Sequence, residues 1–172
     1  MTSPFGELFS HSDDKPPSTA DSAVRRAGPA DAGAIGRLLH DFNEEFEEPS
    51  PGPQAVADRV RALMGSEDFA VLLVGSEPNG LAVLRFRPSI YSSALECYLA
   101  ELYVKPDHRG QGLGRALLEA TMDLARERGA DFMDLGTSED DVAARALYER
   151  MGFVNRERGP DGPVMYVYER EL

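Results

Sequence analysis

Between Val104 and Arg115 the chain reads Val-Lys-Pro-Asp-His-Arg-Gly-Gln-Gly-Leu-Gly-Arg. Gly110, Gly112 and Gly114 alternate here, between an apolar run at 97–104 and an amphipathic stretch carrying Leu113, Ala116, Leu117, Ala120 and Leu124. That spacing puts the apolar side chains on one helix face, with Arg115, Glu119, Asp123, Arg126 and Glu127 outside it. The segment therefore reads as strand, glycine turn and helix start. Such a junction makes an anion site: glycines let the backbone bend and let a ligand approach closely. The first N–H groups of the helix lack carbonyl partners within it, and the helix dipole favours negative charge at that end.

The spacing excludes the common nucleotide loops. Position 115 is Arg, so Gly-x-Gly-x-x-Gly is not completed, and no Gly-Lys-Ser/Thr is present. A second motif lies downstream: Asp141-Val142-Ala143-Ala144-Arg145-Ala146-Leu147-Tyr148-Glu149-Arg150-Met151-Gly152-Phe153. The turn, as Arg109-Gly110-Gln111-Gly112-Leu113-Gly114, resembles motif A of the GNAT acetyltransferases, Arg/Gln-x-x-Gly-x-Gly/Ala. The second stretch resembles their motif B at Ala144, Leu147, Tyr148, Gly152 and Phe153. It departs at Asp141, where the family commonly has Asn; an Asp keeps the acceptor and loses the amide donor.

The rest of the chain is consistent with that resemblance. Residues 1–22, rich in Pro, Ser and Asp, read as a flexible tail in which Phe5, Leu8 and Phe9 stand out. From 23 to 172 the pattern predicts one domain. A short strand at 23–27 precedes helices carrying Ile35, Leu38, Leu39 and Phe42, then Val56, Val60, Leu63 and Met64. Strands are expected at 69–74 and 81–87 around Asn79-Gly80, a hairpin signal, and then at 94–104. After the turn and its helix come a strand at 131–136, a helix at 141–150 and strands at 153–154 and 164–168. The element order βααβββαβαββ predicts an α/β (α+β) fold, a mixed central sheet with helices on both faces. It is also the GNAT order.

The resemblance implies acetyl-CoA as cosubstrate, with its pyrophosphate cradled by Arg109, Gly110, Gln111, Gly112, Leu113 and Gly114. Arg115 would add charge, and Asp141 and Ala144 would lie along the pantetheine. It also implies a β-bulge at Leu102, Tyr103 and Val104, freeing backbone groups for the thioester. Tyr148 is the expected acid for the departing thiol, since a phenol with a pKa of about 10 is protonated at neutral pH. Glu101 is the leading base, with Glu96 on the same strand as runner-up.

Charge points to the acceptor. Asp and Glu total 30 against 18 Lys and Arg, a net charge of -12, which argues against a nucleic-acid partner. The resemblance implies an acceptor pocket lined by 42–53 and 88–94, and Glu44, Glu45, Glu47 and Glu48, with Phe42, Phe46 and Tyr91, would suit it to a small cationic amine. A protein or peptide acetyltransferase and a non-catalytic acyl-CoA sensor remain alternatives. No apolar run has membrane-spanning length and no signal-peptide pattern opens the chain, so a cytoplasmic protein is expected. Family resemblance implies a possible homodimer. No metal is expected, because His11, His40 and His108 fall in no ligand spacing. Cys97, the single cysteine, reads as a packing residue.

Overall fold

A computed structural model describes residues 22–172. The tail expectation, with Phe5, Leu8 and Phe9, lies outside the described residues apart from Ser22. Strand β1 (Val24–Arg26) leads through a 3-10 turn, Pro29–Asp31, into α1 (Ala32–Glu45) and then α2 (Pro53–Leu63). The hairpin of β2 (Phe69–Val74) and β3 (Gly80–Pro88) comes next, and then β4 (Leu95–Val104). Helix α3 (Leu113–Glu127), strand β5 (Ala130–Leu135) and helix α4 (Val142–Arg150) complete the regular elements.

The sheet runs β1-β2-β3-β4-β5. Pairing is antiparallel from β1 to β4 and parallel between β4 and β5. A parallel neighbour requires a long crossover, and α3 supplies it. Helices cover both faces, as the pattern predicts. On one face Leu84, Cys97 and Leu99 pack with Leu113, Leu117, Leu118 and Tyr148. On the other, Val71, Leu73, Leu81, Val83 and Tyr103 pack with Ile35, Leu38 and Val60. Strand β2 is buried along its whole length, which is why it reads as an unbroken apolar run rather than an alternating one. Cys97 is fully buried, and burial pushes its thiol up to about 11, which suits packing and not nucleophilic chemistry.

One irregularity shapes the centre of the sheet. Val83 of β3 pairs with Glu101 of β4, but the next residue, Leu84, pairs with Leu99. Ala100 is thus the extra residue of a β-bulge. The bulge lies just before 102–104, where the family resemblance implied it, and no residue type on β4 marks its place. It resets the side-chain alternation. Leu99 belongs to the α3 face and Ala100 to the α1 face. Glu101, opposite Val83 and two residues before Tyr103, faces α1 as well. Strand β4 also parts from β5 here, since their register ends at Leu99 and Leu135.

The final two strands of the expected order are not formed. They reduce to a single bridge between Arg156 and Val164, flanked by bonds from Glu157 N–H to the Pro163 carbonyl and from Met165 N–H to the Asn155 carbonyl. Pro163 has no N–H to extend the ladder, and a two-stranded hairpin with little apolar cover is marginal alone. Tyr166, Val167 and Tyr168 remain exposed. Among the described residues, no helix is long and apolar enough to cross a membrane.

Helices α1 and α2 meet where Gly36 has no side chain. A Cβ at that position would run into the Pro53 carbonyl oxygen and come within 2.8 Å of Ala57 Cβ. Gly36→Ala is expected to destabilise the protein by about 1–3 kcal/mol through overpacking, measured as a lowered urea midpoint. An unchanged midpoint would mean that α2 moves aside freely.

Candidate active site

The turn after β4 has the shape its glycines require. A 3-10 turn, Pro106–His108, ends the strand, and Gly110 and Gly112 then adopt φ values of 75° and 81°. Both lie in the left-handed region that favours glycine. Gly112 is the residue preceding α3, and no side chain caps the helix. The first bond into α3 runs from Ala116 N–H to the Gly112 carbonyl. Among the described residues, the backbone N–H groups of 110–115 donate to no protein acceptor. A Cβ built at Gly110 or Gly112 would meet nothing within 4 Å. Free donors at a helix start, facing open space, are what a phosphate requires.

The side chains around the turn have protein partners. Arg109 turns its guanidinium onto α1: its Nη1 and Nη2 donate to the two carboxylate oxygens of Glu45, each at 2.7 Å. Its Nε donates to the Val104 carbonyl at 2.9 Å, and its guanidinium carbon lies 5.7 Å from the Tyr103 ring centre. Glu45 thereby balances the Arg109 charge. Arg115 pairs with Glu119 one helical turn on, at 2.8 Å, and is largely exposed. Gln111 points its amide back toward the Asp107 carbonyl at 3.4 Å. An added Cβ at Gly114 would stand 3.5 Å from Leu147, so this glycine brings α3 close to α4.

Beyond the bulge, Leu102, Tyr103 and Val104 pair with β3 and have no β5 partner. The sheet is open on that side. Tyr148, on α4, belongs to the cluster on the α3 face of the sheet. It is buried with Leu113 and Leu117, edge-on to Phe153 with ring centres 6.0 Å apart. Burial, and secondarily the nearby Asp141 carboxylate, push its phenol up to about 12. Its proton is thus held firmly at neutral pH.

Glu101 stands on the opposite face, half-buried. Burial raises its carboxyl above the ordinary range, opposed by the Arg85 guanidinium. Arg85 was not singled out from sequence, although strand alternation from Val83 puts it on that face. Glu96 differs: Arg87 Nε donates to it at 2.8 Å and holds its carboxyl below the usual range. A second Arg87 nitrogen reaches Asp134 at 3.2 Å.

Asp141 caps α4, its Oδ1 accepting the Ala144 N–H at 3.0 Å. Capping is what an Asp performs as well as an Asn, so the departure from motif B leaves the cap intact. The same bond occupies the Ala144 N–H.

The acceptor segments are separated. Phe42 stacks on Tyr103 at 5.1 Å and Phe46 meets Phe42 edge-on at 5.1 Å, so the loop after α1 lies at the C-terminal end of β4. Pro88 pairs with Leu95 at the other end of the strand, roughly 25 Å away at about 3.3 Å per residue. Tyr91, in the loop after Pro88, is almost fully exposed and joins no aromatic wall. Of the acidic residues after Phe42, Glu45 is consumed by Arg109.

Comparison with known proteins identifies the family and the fold. Residues 35–153 match the model of the acetyltransferase (GNAT) family. An aminoglycoside N(6')-acetyltransferase type 1 from Stenotrophomonas maltophilia is 31% identical over 140 residues, covering 78% of this chain and 88% of the relative. A thialysine N-epsilon-acetyltransferase from Bos taurus is 28% identical over 140 residues, covering 75% and 82%. A crystal structure of an Arthrobacter sp. FB24 protein described as an acetyltransferase superposes with a TM-score of 0.81 at 44% identity, over 91% of this chain and 99% of that one. With its glycine turn, open sheet and motif B helix in these positions, the chain belongs to the GNAT family and is an acetyltransferase.

Proposed function

We propose that the protein moves the acetyl group of acetyl-CoA to the primary amine of a small cationic molecule, by direct attack of the amine on the thioester. The observation that supports this reading is that Glu101 and Tyr148 belong to opposite faces of the sheet, with Glu101 just past the point where the β4–β5 register ends. An amine entering from the α1 face meets a carboxylate, and a thiol leaving on the α3 face meets a phenol.

Acetyl-CoA supplies the electrophilic carbonyl and the thiol leaving group. The N–H groups of Gly110 to Arg115 hold the pyrophosphate, as the empty space over Gly110 and Gly112 permits. Leu102, Tyr103 and Val104 offer their unpaired strand edge to the pantetheine and the carbonyl oxygen. Glu101, directly or through one water, takes the proton that the attacking nitrogen sheds. As the new C–N bond forms and the C–S bond breaks, the Tyr148 hydroxyl gives its proton to sulfur and recovers one from solvent. Asp141 and Ala144 act through the cap, which sets the start of the helix that carries Tyr148. The acidic loop after Phe42 supports a cationic acceptor, and the named acceptors of the two curated relatives, an aminoglycoside and thialysine, are amines.

Thiol release from acetyl-CoA should be measured against polyamines, aminoglycosides, thialysine and lysine peptides. Turnover of a small polyamine or aminoglycoside is expected; turnover confined to peptides would reject the small-acceptor reading. Gly112→Glu places a carboxylate where the pyrophosphate belongs, and acetyl-CoA binding by calorimetry should be lost. Tyr148→Phe should lower kcat about 10²-fold with acetyl-CoA affinity retained; full activity would remove Tyr148 as the acid.

The pH profile tests Glu101. A base works deprotonated, and burial raises this carboxyl. In wild type kcat/KM should therefore fall with acidification at a pH above the ordinary glutamate value of about 4.3. Glu101→Gln should abolish that limb, so an unchanged profile would exclude it as the base.

A further inference from the structure

We propose that Arg109 is a positioning residue: its ion pair with Glu45 fixes the loop that receives the acceptor amine to the turn that holds the pyrophosphate. This inference rests on the acetyl-CoA reading of the turn and departs from a phosphate role for the Arg109 side chain.

The geometry carries it. The two terminal nitrogens of the guanidinium meet the two oxygens of Glu45 at 2.7 Å each, the parallel fork that arginine makes with a carboxylate. The remaining nitrogen holds the carbonyl of Val104, the last residue of β4. One side chain of the turn thus ties the end of β4 to the end of α1. Phe42 and Glu45 lie three residues apart on α1, hence on one face. They dock side by side, Phe42 on the Tyr103 ring and Glu45 on the guanidinium above that same ring. With its nitrogens so engaged, Arg109 is turned toward α1.

The loop beyond Glu45 has a defined shape. Glu48 N–H returns to the Asn43 carbonyl across the helix end. That reversal puts Glu47 at φ 57°, a conformation usually left to glycine. Asn43 Nδ2 donates to the Pro49 carbonyl, His40 Nδ1 is bonded to the Ser50 hydroxyl, and Gly52 N–H donates to the same hydroxyl. These bonds give the loop a fixed shape against the end of α1, the same helix end that carries Glu45. The pair itself is partly exposed, with 44% of the Arg109 side chain and 27% of the Glu45 side chain accessible. Pairs so exposed add little to global stability, so its consequence is placement.

The test uses the full chain as wild type, Glu45→Gln, Arg109→Gln and the double variant. Acetyl-CoA Kd is read by calorimetry, amide hydrogen exchange is read at 46–52, and KM and kcat are read with the panel amine that turns over best. Each single variant should speed exchange at 46–52 and raise the amine KM about five-fold. The kcat, the urea midpoint and the acetyl-CoA Kd should stay within about two-fold. The double variant should be no worse than either single one, because both remove the same interaction. A ten-fold loss of acetyl-CoA affinity in Arg109→Gln, with Glu45→Gln unaffected, would overturn the proposal in favour of a phosphate contact. Additive effects in the double variant would overturn it too. A wild-type protein that binds no acetyl-CoA would instead refute the reading beneath it, a result separable from loop exchange.

Discussion

The site depends on the extra residue at Ala100. A strand alternates its side chains with a period of two, so one inserted residue exchanges the faces of everything beyond it. Without the bulge, Glu101 and Tyr103 would face α3 and the carboxylate would lie against the apolar cluster around Leu117. With it, Tyr103 stacks on Phe42 and Glu101 stands on the α1 face. The bulge also coincides with the end of the β4–β5 register. One local irregularity therefore both aims the carboxylate and opens the sheet.

Electrostatics then distinguish groups that look alike as letters. Glu101 and Glu96 share a strand, yet burial lifts one carboxyl while Arg87 lowers the other. Arg109 and Arg115 flank the same turn, and each has a carboxylate of its own at 2.7–2.8 Å. The start of α3 keeps backbone donors without protein partners, fixed in place and with no side-chain entropy to lose. In a chain with a net charge of -12, the proposed pyrophosphate site thus relies on backbone rather than on a basic surface.

Much of this was legible in residue patterns, for identifiable reasons. The amphipathic faces of α1 and α3, the unbroken apolar run of β2 and the glycine turn are written in short-range periodicity and in residues with special backbone freedom. Sequence reading failed where partners lie far apart or where no residue type marks the feature. Nothing in Leu99-Ala100-Glu101 marks a bulge, and the expected position at 102–104 came from resemblance. The strands expected at 153–154 and 164–168 have strand-like composition, but strand formation requires a neighbouring edge, and only the Arg156–Val164 bridge is made. The pocket expected from 42–53 together with 88–94 divides because the two segments lie at opposite ends of β4.

The sequence by itself determined the glycine turn and the helices and strands that frame it, because local steric preference and periodicity are properties of neighbouring residues. The phenol of motif B was singled out by resemblance to the GNAT family. Only the tertiary structure decided which face Glu101 occupies, which glutamate is paired and where Arg109 spends its charge. Those outcomes depend on strand register and on contacts such as Glu45 to Arg109, 64 residues apart, and distance in the chain carries no information about distance in the fold.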